Sequence, residues 1–454
     1  MNNKNKTIDM LGGPILSSVI KYTIPVFFTS ILQLLFNAAD LVVVGQFCGS
    51  LSVSAVGVTG AITALIINLF LGLAVGVGVG VAHAVGCENN EALTKIIHTT
   101  IPIALVSGTF LTVVGVCFSK TFLRLMGTPG NVLDLAAVYM QIYFCGMIFS
   151  LVYNFGASIL RALGDTRSPL VYLTIAGLIN VTLNIIFVTL FDMNVAGVAL
   201  ATIISQAFSA VMIVVSLCKR TDDSRLDLRK MRFHKNELMR IIRIGLPAGI
   251  QASLFSISNV LIQSSVNSFG DIFIAGNSAA ANLEHFVYVL LAAFHTTVVN
   301  FVGQNTGARE FKRIKKIFWT CAISVSVSGI IMGGLFYLFG NQLLSIYITD
   351  SPQAIEYGLL RMSFICLPYF LCGLVEVTTG ALRGLGASVV PMAISVLGIC
   401  VLRLLWIGTV FGVEKYHTPQ CLFLSYTVSW IVTFMLQLIA FLILYNKACN
   451  NSDD

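Results

Sequence analysis

Charge is scarce in this chain. Asp, Glu, Lys and Arg make up only 10% of its 454 residues, hydrophobic types make up 57%, and mean hydropathy is +0.89. Soluble domains carry roughly 25% charged residues, so a globule of this composition has too few polar groups to cover its own surface. Lipid is therefore the expected solvent. A disulfide framework is missing too. The eleven cysteines include no Cys-x-x-Cys pair and fall mostly inside apolar runs (Cys117, Cys145, Cys321, Cys366, Cys400), which reads as small buried hydrophobes. No His/Cys/Asp group has metal-ligand spacing, and no nucleophile–base pair or pore-loop signature occurs, so neither an enzyme, a metalloprotein nor a channel is expected. The run GVGVGVAH, ending at His83, lacks the strand–turn–helix setting and the Gly-Lys-Ser/Thr of a phosphate loop. Without a nucleotide site or cofactor, energy for any transport must come from an ion gradient. The segment Met1 to Pro14 lacks the pattern of a cleaved signal, so the first apolar segment is expected to serve as its own uncleaved signal.

Long apolar runs, in contrast, are plentiful. A membrane-spanning helix needs roughly 20 apolar residues. Runs of that length fall at 17–44, 52–83, 95–118, 133–156, 168–190, 195–217, 242–268, 273–303, 315–338, 354–379, 390–411 and 420–445. The expected fold is all-α and polytopic, with twelve transmembrane helices and both termini on one side. Of the 27 Lys and Arg, 22 fall on that side: Lys4, Lys6, Lys21, Lys95, Arg161, Arg167, nine from Lys219 to Arg243, five from Arg309 to Lys316, Arg383 and Lys447. Lys120, Arg124 and Lys415 fall opposite, while Arg361 and Arg403 lie within spans. The asymmetry predicts cytoplasmic termini in a multi-pass protein of the cell (inner) membrane. It also explains the net charge of +7 as a topology signal, with no nucleic-acid partner.

The chain contains its own shape twice. Pro25 in KYTIPVFF is matched by Pro247 in RIGLPAGI, 222 residues on. LRALGDTRSP (Arg161, Gly164, Pro169) is matched by LRGLGASVVP (Arg383, Gly386, Pro391) at the same offset, and Gly86 by Gly307 at 221. Two six-helix lobes of like orientation follow, related by a pseudo-two-fold axis along the membrane normal: 1–217, a cytoplasmic linker at 218–241, and 242–454. Gly72, Gly76 and Gly80 stand four apart, a stripe that lets another helix approach closely. Pro25, Pro247 and Pro368 lie in or near spans, where the missing amide permits bending.

Ionisable groups inside spans are expensive and usually face a cavity or a partner. Three carboxylates qualify: Asp40 in span one, Glu284 in span eight and Glu376 in span ten. Gln33, Asn37 and Asp40 follow at i, i+4, i+7 and share a helical face. Asn180 and Asn184, then Thr202 and Gln206, repeat the i, i+4 spacing in spans five and six, so the first half can assemble a polar pocket around one carboxylate. Interhelical amide bonding is the bland alternative. In the second half Asn259, Gln263 and Asn267 line span seven, and Asn277 shares a face with Glu284, with His285 adjacent. Glu376 stands one repeat length after Asn154, a position neutral in one half and acidic in the other. His285 and His295 are of the type that titrates near physiological pH.

Together these segments resemble the multidrug and toxic compound extrusion (MATE) family, bacterial DinF-like branch. The resemblance rests on GPI near the start, IPVFFTSILQLLFNAADLVVVGQF, LRALGDTRSP, GVALATIISQ and GQNTGARE, and covers essentially the whole chain. It implies two six-helix lobes and export of cationic or amphipathic small molecules in exchange for H⁺ or Na⁺ by alternating access, in a monomer. It also implies that Asp40 is the protonation or cation site, working with Asn180 and Thr202. Relatives of this type carry a second aspartate where this chain has Asn184, which removes one titratable group. Other relatives couple through second-lobe carboxylates, a role open to Glu284 and Glu376, so the exchanged ion, H⁺ or Na⁺, is expected at Asp40 or at Glu284/Glu376, with no resident metal. The alternative is a lipid-linked or polysaccharide-precursor flippase of the same broader superfamily, which calls for a cationic cavity.

Overall fold

A computed structural model describes residues 7–349 and 351–453; Lys4 and Lys6 of the charge pattern lie outside them. Among the described residues the chain is helical, with no strand. Among the described residues ten helices are long and apolar enough to cross a membrane, and two bent pairs raise the number to twelve when each pair is one span.

The first six spans begin with α1 (Ile15–Phe47), which continues through Pro25, and α2 (Ser50–Gly86). Next come α3 (Asn90–Leu125), the pair α4 (Gly130–Cys145) and α5 (Met147–Ala162), α6 (Arg167–Thr189) and α7 (Asn194–Cys218). The Asn89 side chain caps α3 by accepting from the Ala92 amide at 2.9 Å. The second six are α8 (Lys235–Asn267), α9 (Asp271–Gly307), α10 (Phe311–Leu338) followed by the short α11 (Gly340–Ser345), and the pair α12 (Pro352–Ile365) and α13 (Tyr369–Gly384). Span eleven combines α14 (Val389–Ser395) and α15 (Leu402–Trp406) with π turns at Val396–Val401 and Ile407–Phe411, and α16 (Pro419–Asp453) ends the chain.

Two continuous apolar runs of the sequence are bent in the structure. The run at 133–156 turns by 46° between α4 and α5 at Gly146, and that at 354–379 by 45° between α12 and α13. Pro368 caps α13, where its ring and missing N–H do not fit a helix interior. A Cβ on Gly146 would lie 2.8 Å from the Ile203 side chain, so close approach of α7 requires glycine at that bend.

Backbone geometry repeats along with the sequence. Gly164 and Gly386 both sit at φ +89°, Gly49 and Gly270 at +83° and +89°, and Glu88 and Arg309 at +52° and +59°. Left-handed φ is cheap for glycine and costly for other residues, so its recurrence at matching positions marks a copied loop scaffold.

Contacts divide the chain into two compact units. One comprises Phe28–Gly249 and the stretch ending at Asp9; the other comprises Met10–Phe27 and Ile250–Asp454. The divisions fall inside α1 and α8, two residues past Pro25 and Pro247. In the first unit, Val77, Ile96, Leu111, Phe144, Phe155 and Ile213 form a continuous core. The glycine stripe of α2 works as its spacing predicts. A Cβ on Gly72 would lie 2.2 Å from the Gly249 nitrogen, and one on Gly76 2.3 Å from the Ile241 carbonyl oxygen, so α2 and the start of α8 pack backbone to backbone. Gly80 instead faces the Ile96 side chain at 3.6 Å. In the second unit, Tyr22 meets Phe301 edge-on at 5.5 Å and Phe318 stacks on Phe441 at 4.3 Å. Large apolar side chains such as Val42, Phe110, Ile330, Leu338 and Ile443 face outward, as a lipid-solvated surface requires. Cys117 and Cys145 are exposed among them, while Cys321, Cys366 and Cys400 are buried as expected.

The basic segment before α8 is not loose. Thr94 Oγ1 donates to the Asp223 carbonyl at 3.0 Å, and the Asp227 amide to His98 Nε2 at 3.0 Å. Arg220 pairs with Asp222, and Ser224 bonds both. Burial pushes the Asp222 carboxyl up, but these donors outweigh it and hold the group below the usual carboxylate range. Burial, then the charges of Arg232 and Lys95, hold the His234 imidazole below its ordinary 6.5.

Candidate functional site

The first unit gathers one carboxylate and three neutral polar groups from three helices. Asp40, in the second half of α1, is 7% exposed. Asn184 of α6 donates Nδ2 to Asp40 Oδ1 at 2.5 Å, and Thr202 of α7 donates Oγ1 to Oδ2 at 3.3 Å. Asn180, one turn before Asn184, donates to Thr202 Oγ1 at 3.3 Å and accepts from Asn184 at 3.3 Å. Every partner is uncharged, and among the described residues no Lys or Arg pairs with Asp40. Asn184 Oδ1 is buried with no hydrogen-bond partner, an oxygen lone pair left available inside the cluster. Tyr139 and Tyr143 stand within electrostatic range of the carboxylate. A carboxylate with amide and hydroxyl oxygens around it is the donor set that takes a proton or a hard cation.

Asp40's helical neighbours take another course. Gln33 and Asn37 are exposed and form no bond with the cluster. The i, i+4, i+7 face is therefore only partly closed: Phe36, whose ring lies where a Cβ on Gly177 would sit, and Asp40 turn inward.

The second unit holds two separate acid sites. Arg361 of α12 grips Glu284 of α9 through Nε at 2.8 Å and Nη2 at 2.7 Å, and Nη1 donates to Asn277 at 2.6 Å. Both side chains are below 10% exposed, so this is a buried bidentate pair that uses both carboxylate oxygens. Glu376 of α13 accepts from Tyr288 OH at 3.2 Å and lies 3.1 Å from His295 Nδ1. His295 Nε2 in turn faces Arg383 Nη1 at 3.2 Å, and Arg383 Nη2 donates to Gln251 at 2.9 Å. Since a guanidinium only donates, Nε2 is an acceptor and the proton sits on Nδ1, toward Glu376. Tyr288, Glu376, His295, Arg383 and Gln251 thus form one chain across α8, α9 and α13.

A family model described as MatE matches residues 25–186 and again 247–406, and the two matches begin 222 residues apart. The chain belongs to the MatE family. It is a multi-pass membrane transporter. A probable multidrug resistance protein, YpnP of Bacillus subtilis, is 27% identical over 88% of this chain and 89% of its own. The probable multidrug resistance protein NorM of Thermotoga maritima is 25% identical over 85% and 83%. Among solved structures, an outward-facing multidrug resistance MATE family transporter of the MOP superfamily superposes with a TM-score of 0.90 at 20% identity, covering 98% of each chain. A MOP superfamily transporter from Pyrococcus furiosus, described as having a binding pocket of reverse polarity that suggests a different function, gives 0.86 at 20% identity over 98% and 97%.

The other polar residues of interest in this MatE transporter stand apart from the clusters. Asn154 donates to the Ser150 carbonyl within its own helix at 2.8 Å. Gln263 bonds Asn267 at 3.1 Å on α8, and Asn259 is exposed. His285 is exposed and stacks on Tyr288 at 6.1 Å. Arg383, counted among the loop cations, is instead 6% exposed and belongs to the Glu376 chain. Its position at the end of a repeated loop motif masked that role, as did the wide separation of Arg361 from Glu284. Charge balance offered a signal, since an in-span arginine faces either an in-span partner or a ligand path.

Proposed function

We propose that this MatE transporter is a secondary antiporter that exports cationic or amphipathic small molecules, drugs and toxins among them, in exchange for H⁺ or Na⁺ by alternating access. The observation that carries the reading is Asp40, a buried carboxylate held only by neutral donors. Exporting a cation from an inside-negative cell costs about 2.3 kcal/mol per charge at 100 mV, so efflux must be coupled. A carboxylate that takes either the incoming ion or the substrate cation, but not both, couples them. Asn180, Asn184 and Thr202 position Asp40, and the unpartnered Asn184 Oδ1 supplies a further oxygen for Na⁺ or for a protonated carboxyl. Multidrug resistance names among relatives support the substrate class.

Glu376 is the second candidate for titration, linked by His295 to Arg383. A cation at Glu284 would have to displace Arg361 from both carboxylate oxygens, so we assign that pair to holding the second unit together. Gln33, Asn37, Asn154, Asn259 and Gln263 fit substrate contact better than coupling, because none bonds a carboxylate. We further propose lobes at 1–217 and 242–454 joined by 218–241, cytoplasmic termini, an inner-membrane location and a monomer. Duplication of the family match supports the lobes, and the lysine and arginine asymmetry supports the orientation.

The deciding experiment uses proteoliposomes loaded with a cationic dye, given an imposed pH or Na⁺ gradient separately. Gradient-driven dye movement that Asp40→Asn abolishes is expected. Dye movement in Asp40→Asn equal to wild type would remove Asp40 from the mechanism. The flippase reading draws on one observation, the buried arginines of the second unit, and requires that the same liposomes scramble a labelled lipid-linked phosphate.

A further inference from the structure

Span eleven leaves regular helix geometry twice, and Arg403 stands in the five α-helical residues between the two π turns. Such turns recur at functional sites because they swing a side chain off the regular face. Here the side chain is 4% exposed. Its Nε donates to Ser429 Oγ at 2.8 Å, and its guanidinium carbon lies 4.1 Å from the Tyr426 ring centre and 5.7 Å from that of Trp430. Among the described residues no carboxylate pairs with it, and neither terminal nitrogen has an acceptor.

Its neighbours differ in this respect. Arg361 is spent on Glu284 and Asn277, and Arg383 reaches Glu376 through His295. Among the described residues the interior of the second unit thus holds three arginines against two carboxylates, and the excess positive charge is Arg403. Aromatic faces soften a buried cation without neutralising it. An uncompensated ion in a membrane interior marks a ligand path, and the open edge of a guanidinium matches a carboxylate or phosphate bidentately. The copied scaffold makes the contrast plain. One repeat length before Arg403 stands Val181 in the regular helix α6, while one repeat length after Asp40 stands Ile262.

We propose that Arg403, on its Tyr426 and Trp430 platform, is a subsite for the anionic group of an amphipathic substrate, so that a carboxylate-bearing zwitterion is preferred over the matched pure cation. The inference rests on the efflux reading above and narrows its substrate class. The test is fluorescence polarisation with the full-length protein in nanodiscs, using rhodamine 19, a free acid, and rhodamine 6G, its ethyl ester. Wild type should favour the acid, and in R403Q the acid-to-ester affinity ratio should fall about tenfold, the size of one charge-assisted contact. R403K keeps the charge but neither the fork nor the ring stacking, so it should retain only part of the ratio. A wild-type protein that favours the ester or does not discriminate overturns the subsite, with no variant needed. So does an unchanged ratio in R403Q, or a loss in R403K as large as in R403Q, which would point to packing. Loss of the acid preference in chloride relative to gluconate buffer would make this a free-anion site and overturn the substrate assignment. Binding of neither dye by wild type sinks the amphipathic-efflux reading itself, a different result from ester binding with an unchanged ratio.

Discussion

Replacing Glu284 by Gln tests whether a buried acid of span eight serves stability or coupling. In the native protein the carboxylate takes two guanidinium bonds at 2.8 and 2.7 Å, and side-chain exposures of 9% and 6% leave little water to substitute for it. Glutamine is nearly isosteric but offers one oxygen and no charge, so Arg361 remains buried with Asn277 as its chief acceptor. Removing one partner of a buried pair costs about 3–5 kcal/mol, because the surviving ion is uncompensated. The retained amide oxygen places E284Q near the lower end. At about 2–4 °C per kcal/mol for a unit of this size, that is roughly 6–12 °C in Tm. R361M should cost a similar amount for the converse reason. The double variant E284Q/R361M should recover most of the loss, since neither ion is then stranded. Thermal unfolding of the purified transporter, followed by fluorescence-detected size exclusion, measures all three. Singles as stable as wild type, or a double whose loss is the sum of the singles, would refute the reasoning.

Other expectations follow from the same structure. Asp40→Asn should elute normally, since exchanging a charged for a neutral acceptor costs only about 1 kcal/mol, yet lose gradient-driven efflux in proteoliposomes. Gly76→Leu should lower the melting temperature sharply or block assembly, because even its Cβ would lie 2.3 Å from the Ile241 carbonyl oxygen. Gly57→Ala and Gly60→Ala, with nothing within 4 Å, should be neutral or add about 0.5–1 kcal/mol in the same thermal assay. His234 has a folded pKa below 6.5, so its neutral form is favoured in the fold; the stability it contributes is complete above 6.5 and is lost as pH falls through and below that value. Hydrogen exchange of the 219–234 segment, corrected for intrinsic rates, should rise between pH 7.5 and 5.5 in wild type and less in His234→Gln.

How much of this was readable in advance depends on the range of the interaction. Span number, the 222-residue copy, the glycine stripe of α2 and the polar helix faces that carry Asp40, Asn180 with Asn184, and Thr202 all rest on local periodicity and composition. Lipid enforces these directly, since it demands about 20 apolar residues per span and makes each in-span polar group conspicuous. Other features are settled only when helices meet. Periodicity puts Gln33, Asn37 and Asp40 on one face, but packing against α6 closes only the part holding Phe36 and Asp40. The bends at Gly146 and beside Pro368 lie inside unbroken apolar runs, where hydropathy carries no information about direction. Glu284 finds Arg361 77 residues away, and Arg383 leaves its loop motif for His295, 88 residues back. The sequence alone therefore determined which residues must leave lipid. The tertiary structure decided which of them neutralise one another, because an ion pair forms only between groups that packing brings within a few ångströms.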